Sequence, residues 1–533
     1  MTVHPQGPPP EQPTVAPDRF RPGTGPADTT VAVVETPWRR LDPRMLAVGP
    51  LNGMVGLVPL VVVLLISGQG DLTRLWVAAV AGVLVVLAGV LRWRTTRYRI
   101  TPDRVELHIG WLNRQRRSVP RDRIRTVDLT AKLLHRAFGL SVVQVGAGSG
   151  GPADEAGLSL DAVSKAEADR LRRELLAQRG GAAAAPGDAA GAARSTAVPV
   201  VPPARELARL DWAWLRYAPL TLSSLAGIGA VVAAVFNVAG DLGVDPRDID
   251  AVDAAGERLA AAPVWLAVGG LGVLLLVVAA LGSLLLFAER WWGYRLTREP
   301  DGTVRVKRGL LTRRSLSVSE QRLRGAELTE PLLLRAGRGA QCRALTTGLS
   351  GEGGGALLPP APRAQAHRVA SEVLREPPAE ITAATLRRHP PAARVRRLTR
   401  ALGPSLVLVA AAWVLTVSGA GPGWAGPVSL LLPPVALLLG VDRYRNLGHA
   451  LTARYVVARS GSLNRRTAAL QRAGVIGWTI RQSPFQRRAG LVTLTAVTAA
   501  GVGGYDVLDV GAADAVTLAD AATPGLLARV HAH

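Results

Sequence analysis

Chemistry in this chain would have to come mainly from arginine. All but three of its 63 lysine and arginine residues are arginine, against 40 acids, and the net charge is +23. The densest cluster is Arg114, Arg116, Arg117, Arg121, Arg123 and Arg125, six guanidinium groups within 12 residues. A guanidinium fork suits bidentate contact with phosphate oxygens. The run is therefore the candidate contact with an anionic surface such as lipid headgroups, against the plainer reading of a solvated face. Other signals are weak. There is no Gly-x4-Gly-Lys-Ser/Thr loop and no His-Glu-x-x-His helix, and the single Cys342 excludes an intrachain disulfide or a cysteine-based zinc site. Gly146 to Gly150 is glycine-rich but lacks the helix start of a dinucleotide loop. His108 and His135 read as solvated or core histidines, and Asp154-Glu155 as a solvated loop pair. No catalytic residue, metal or cofactor is expected, and the chain reads as a non-enzyme.

The basic run sits inside a unit that occurs three times. Gly110, Gly309 and Gly461 are each followed by leucine (Leu112, Leu310, Leu463) and an arginine pair (Arg116-Arg117, Arg313-Arg314, Arg465-Arg466). Arg136, Arg335 and Arg487 lie at equal distances from these anchors. Gly139 and Gly490 match in the first and third copies. The second copy is expected to slip there, with Gly337 and Gly339 flanking Arg338. Such shared spacing predicts a triplicated unit. Within copy one, Arg97–Thr101, Arg104–Ile109, Gln115–Val119, Ile124–Leu129 and Leu140–Val145 read as short strands. Asp161–Gln178 reads as an amphipathic helix, as does Arg363–Arg375 in copy two.

Each copy follows apolar segments. Apolar residues are 48% of the chain but aromatic residues only 4%, a balance set by Ala, Val and Leu that suits membrane helices. Leu46–Ser67 is 22 residues long, enough to cross a hydrocarbon core of ~30 Å, and Leu75–Leu91 returns. The expected plan is a disordered tail over 1–36, transmembrane hairpins over 45–91, 217–286 and 402–441, repeats over 93–178, 289–375 and 447–530, and linkers over 179–204 and 376–393. Arginines cluster on the repeat side of every hairpin, such as Arg39, Arg40 and Arg44 before the first and Arg92, Arg94, Arg97 and Arg99 after it. The positive-inside rule then puts both termini and all three repeats in the cytoplasm of a multi-pass plasma-membrane protein. This location favours the lipid bilayer over nucleic acid as the partner of the positive charge. Asn52 and Asn237 are the notable polar residues of the apolar segments, whose central parts hold no ionisable group. That argues against the rival reading, a transporter or channel subunit.

Tyr98-Arg99-Ile100-Thr101, Gly110-Trp111-Leu112, Val119 to Arg125 and Leu134 to Leu140 carry a family resemblance. With Tyr294-Arg295-Leu296-Thr297, Gly309-Leu310-Leu311, Leu451-Thr452 and Arg488-Ala489-Gly490-Leu491, the layout resembles the membrane-flanked bacterial pleckstrin-homology (PH) domain family, YdbT-like. The resemblance implies a small PH-like β-barrel capped by a C-terminal helix in each repeat, on the cytoplasmic side. With the apolar segments, the expected architecture is six transmembrane α-helices in three hairpins carrying three such barrels. The resemblance also implies a binding or scaffold role with an unidentified protein partner, in envelope integrity or resistance to membrane-active compounds. It carries over no catalytic residue.

Overall fold

A computed structural model of the chain describes residues 37–48, 51, 72–110, 114–121, 124, 126–146, 157–177, 203–221, 263–347 and 355–524. The first repeat is β1 (Arg39–Arg40), α1 (Leu72–Thr95), β2 (Arg97–Ile100), β3 (Arg104–Ile109), β4 (Gln115–Pro120), β5 (Thr126–Ala131), α2 (Leu133–Ala137), β6 (Leu140–Gly146), β7 (Gly157–Ser164) and α3 (Lys165–Ala177). The second is β8 (Arg205–Arg209), α4 (Val264–Trp291), β9 (Arg295–Arg298), β10 (Thr303–Arg308), β11 (Arg313–Ser319), β12 (Leu323–Pro331), α5 (Leu332–Ala336), β13 (Gly339–Thr346), β14 (Ala356–Pro362) and α6 (Arg363–Leu374). The third is α7 (Pro391–Val417), α8 (Ala425–Ser429), α9 (Leu432–Arg445), β15 (Gly448–Leu451), β16 (Tyr455–Ser460), β17 (Asn464–Gln471), β18 (Gly477–Arg481), α10 (Pro484–Arg488), β19 (Leu491–Val497), β20 (Gly504–Gly511) and α11 (Ala512–Ala522).

The repeats do not close as three separate barrels. The sheets run β1-β2-β3-β4, then β7-β6-β5-β11-β10-β9-β8, then β14-β13-β12-β17-β16-β15, then β18-β19-β20. The last three strands of one repeat thus share a sheet with the first strands of the next. Directly opposed residues of an antiparallel pair point to the same face. At the first joint Val127 and Leu129, opposite Ser317 and Ser315, belong to the first core, while Val318 and Leu316 face the second. At the second joint Ala326, Leu328 and Ala469 face the second core, while Ala468 and Leu470 serve the third.

The barrels also begin earlier than the sequence suggested. β1 pairs with β2, β8 with β9, and Arg387 bridges to His449. Each barrel therefore takes a short strand or bridge from the N-terminal side of its helical segment. Tyr217, expected to open the second hairpin, instead closes a 3₁₀ helix over Trp212–Tyr217. Trp214 and Tyr217 are buried in the second barrel's core. The stretch 376–393 is likewise no free linker, since Ile381, Thr382, Ala384 and His389 are buried. In copy one the helix begins at Lys165, because 157–164 is strand.

Among the described residues, three helices are long and apolar enough to cross a membrane, Gly272–Trp291, Pro391–Val417 and Ala425–Arg445. Their surfaces expose Leu276, Leu285, Leu408 and Leu438. Those faces need a hydrocarbon surround or a partner. Gly440 lets α9 approach α7, for a β-carbon there would sit 3.1 to 3.2 Å from Leu398 and Ala401. The first arms of the first and second expected hairpins lie outside the described residues for most of their length, as do the tail over 1–36 and the 179–202 stretch.

Candidate functional site: the joints between repeats and their unpaired counterparts

The anchor glycines are equivalent in space. Gly110, Gly309 and Gly461 have φ of 107°, 107° and 102°. A β-carbon at Gly309 or Gly461 would fall 1.9 or 2.0 Å from the carbonyl oxygen of Thr312 or Asn464, so only glycine makes this connection. The arginine pairs are not all equivalent. Ile109 pairs with Gln115, Arg308 with Arg314 and Ser460 with Arg466. Arg114-Gln115, not Arg116-Arg117, therefore occupies the place of Arg313-Arg314 and Arg465-Arg466. Arg136, Arg335 and Arg487 all sit in the short helices α2, α5 and α10. The second copy does not slip, because Arg338 itself takes the left-handed conformation (φ 57°) that Gly139 and Gly490 take at the matching place.

Both joints use one register. β5 meets β11 with Asp128 opposite Leu316, Leu129 opposite Ser315 and Ala131 opposite Arg313. β12 meets β17 with Glu327 opposite Ala468, Leu328 opposite Thr467 and Glu330 opposite Arg465. The second joint is charge-matched. Arg465 donates through Nε and Nη2 to the two oxygens of the buried Glu330, 2.7 Å each, and Arg363 adds a contact at 3.3 Å. The first joint is not so matched. Burial pushes the Asp128 carboxyl up, against the pull of Arg314 and Arg308, and its Oδ1 has no hydrogen-bond partner among the described residues. Each joint is also tied beyond its strands. The Arg136 guanidinium donates to the Leu310 carbonyl, the Leu332 amide donates to the Leu463 carbonyl at 2.7 Å, and Arg335 pairs with Asp442 of α9 at 2.9 Å.

The basic run divides on this frame. Arg114 and Arg116 are exposed on β4 and its approach, and Arg117 is half-buried beside them. Arg121 turns inward, donating to the Thr101 carbonyl and the Glu174 carbonyl at 3.2 Å each. Arg123 and Arg125 lie outside the described residues, as do the glycine-rich stretch 147–150, Asp154, Glu155, Asn52 and Asn237. His108 stacks on Trp38 with ring centroids 4.3 Å apart. Cys342 is fully buried in a core position, and burial raises its thiol to about 12.

The third repeat holds polar clusters that the sequence did not flag. Asp509, fully buried and left-handed at φ 56°, takes Arg396 and Arg397 from the base of α7 at 2.5 Å each and Gln486 of α10 at 2.8 Å. This fastens the helix to the barrel. His389 Nε2 and His449 Nδ1 approach to 3.0 Å in a buried contact, beside a cleft of about 320 Å³ bordered by Arg387 and Asp514, which pair at 3.1 Å. Burial, then the neighbouring His389 and Arg387, brings His449 down to about 4. The legible signal was the acid in Val127-Asp128-Leu129 and Ala326-Glu327-Leu328, at equal distances before a Leu-Leu helix start. Asp509 and the histidine pair had none.

Comparison with known proteins agrees with this repetition. A family model described as bacterial PH domain matches residues 52–179, 249–377 and 395–522. The chain is 22% identical over 441 residues, 81% of its length and 85% of the relative's, to the UPF0699 transmembrane protein YdbT of Bacillus subtilis (strain 168). No solved structure matches.

Proposed function

The chain belongs to the bacterial PH domain family, and on that premise we propose that it is a non-enzymatic scaffold, holding three PH-like barrels in a fixed row on the cytoplasmic face of the plasma membrane. The observation that carries this reading is the pair of shared sheets. Two interior joints in one register make the spacing of the barrels a property of the backbone ladder, not of flexible linkers. The ties from Asp442 to Arg335, and from Arg396 and Arg397 to Asp509, fasten apolar helices to the row at its membrane end. A row of this kind presents surfaces to a partner at defined intervals, and the reading extends to a role in envelope integrity.

Cysteine labelling tests the arrangement. Cys342 is buried with a thiol raised to about 12, so it is silent toward maleimides, which need thiolate. Asp103→Cys, Asp301→Cys and Ala453→Cys each place a thiol in an exposed turn, between β2 and β3, β9 and β10, and β15 and β16. All three should resist a membrane-impermeant maleimide in intact cells and react after permeabilisation. Labelling of one of them in intact cells would break the row across the membrane and end the proposal.

A further inference from the structure

Among the described residues, a joint made twice leaves two strands without their counterpart. β4 holds the place of β11 and β17, and β18 that of β5 and β12, yet each is the last strand of its sheet. The exposure follows. Leu129 and Leu328 are 9% and 1% exposed at the joints, whereas Ile480, in the same position of β18, is 48% exposed. An unpaired edge is a template for strand addition. The register of the two finished joints says what each position of an added strand would meet.

The chain's own second edge does not fit the first. Transferred to β4, the joint register puts the partner's Glu330 position against Arg114 and its Glu327 position against Arg117. β18 offers Gln482 and Thr479 there, and places Arg481 opposite Gln115, on the face that Arg117 shares. Arg114 and Arg116 have no acidic partner among the described residues, unlike Arg465, which holds the place of Arg114 at the second joint. Head-to-tail pairing of two copies would therefore gather cations at one edge with no carboxylate.

We infer that β4 is a docking edge for a separate polypeptide, which adds an antiparallel strand bearing carboxylates three residues apart, in the register that Glu327 and Glu330 use inside this chain. Arg114 then closes the same fork on the incoming acid that Arg465 closes on Glu330. The inference names the partner class of the scaffold and rests on that reading, but it is tested in detergent, independently of topology.

The probe is a fluorescent synthetic peptide of residues 322–333, titrated into the full-length protein and read by anisotropy. Its native acceptor β17 is occupied within the chain, so β4 is the open strand of matching register. The native peptide should bind. A peptide carrying Glu327→Lys and Glu330→Lys should bind at least about tenfold more weakly, the scale of one lost charge-assisted hydrogen bond. Arg114→Glu, at an exposed position, should impose a similar loss on the native peptide. A peptide with Glu330→Arg should recover affinity for that variant alone. Failure of the native peptide to bind overturns the inference, as does equal binding to Arg114→Glu. Self-association of the protein abolished by both Arg114→Glu and Ile480→Glu would make a second copy the occupant. Displacement of the peptide by vesicles rich in anionic lipid would make the membrane the occupant. Either result also overturns it.

Discussion

The two interior joints are built on one register and solve it with different chemistry. At the β12·β17 joint a buried carboxylate meets a guanidinium in a bidentate fork, with Glu327 and Arg466 adding a 3.8 Å pair. At the β5·β11 joint the positions facing Arg314 and Arg313 are Thr130 and Ala131, and the one acid, Asp128, is half-buried with its Oδ1 enclosed and without a hydrogen-bond partner among the described residues. The backbone ladder, the glycine turn and the leucine facing a small hydroxyl residue are common to both. Edge pairing of these repeats therefore follows from strand geometry and apolar burial, while charge matching differs from joint to joint and can set which partner strand is accepted.

The sharpest way to separate the joints is to remove the fork. Glu330→Ala leaves Arg465, 12% exposed, without its partner in a buried setting. Breaking such a pair costs about 3 to 5 kcal/mol. Hydrogen exchange should show the β17 amides opening more readily by that amount, with the β11 amides unchanged. Equal loosening of both strands would mean that the joints are one cooperative unit.

Acid should also distinguish the two ends. His449 is brought below its ordinary value by burial first and then by His389 and Arg387, to about 4, and His389 is also lowered by burial. Asp514, and Asp509 near His389, pull the other way. A histidine with a depressed folded value contributes stability that is full above its unfolded value near 6.5. It is lost as pH falls toward 4. The contribution of His449 is on the order of 3 kcal/mol. Asp128 has the opposite sense, because its raised folded value penalises the ionised form as pH rises. Between pH 6.5 and 4, exchange protection should fall around β15 and rise or hold at β5. Loss at β5 first would contradict the assignment.

The smallest effect sharpens the same point. Asp128→Asn keeps the shape and removes a buried charge whose desolvation is its largest perturbation. At pH 7 it should leave stability unchanged or raise it by about 1 kcal/mol, measured as a shift in denaturant midpoint. A clear destabilisation would show that Arg314 and Arg308 hold Asp128 as a net favourable ion pair.

Much of the repeat was legible from residue spacing. A glycine with φ near 105° carries its own signature, since a side chain there would strike a carbonyl oxygen three residues on. The equivalence of Arg136, Arg335 and Arg487 followed from counting, though not the short helices that hold them. Spacing also misled. Arg116-Arg117 is an arginine pair in the right neighbourhood but two residues out of register. Arg338 was invisible as a left-handed residue because non-glycine residues seldom take that conformation. Hydropathy placed Tyr217 with the membrane, since an aromatic residue reads alike whether it enters lipid or the core of a barrel.

The sequence by itself determined the triplication, the apolar segments beside each copy and the glycine turns, because these rest on local sterics and on composition within a window. Only the tertiary structure decided which strand lies beside which. The same β5 could have closed its own barrel against β4, and no local preference distinguishes that from the observed pairing with β11. The choice rests on contacts between residues nearly 200 positions apart, such as Leu129 with Ser315. It rests equally on the burial of Glu330 against Arg465, a fork whose two halves carry no signal until the fold brings them within 2.7 Å.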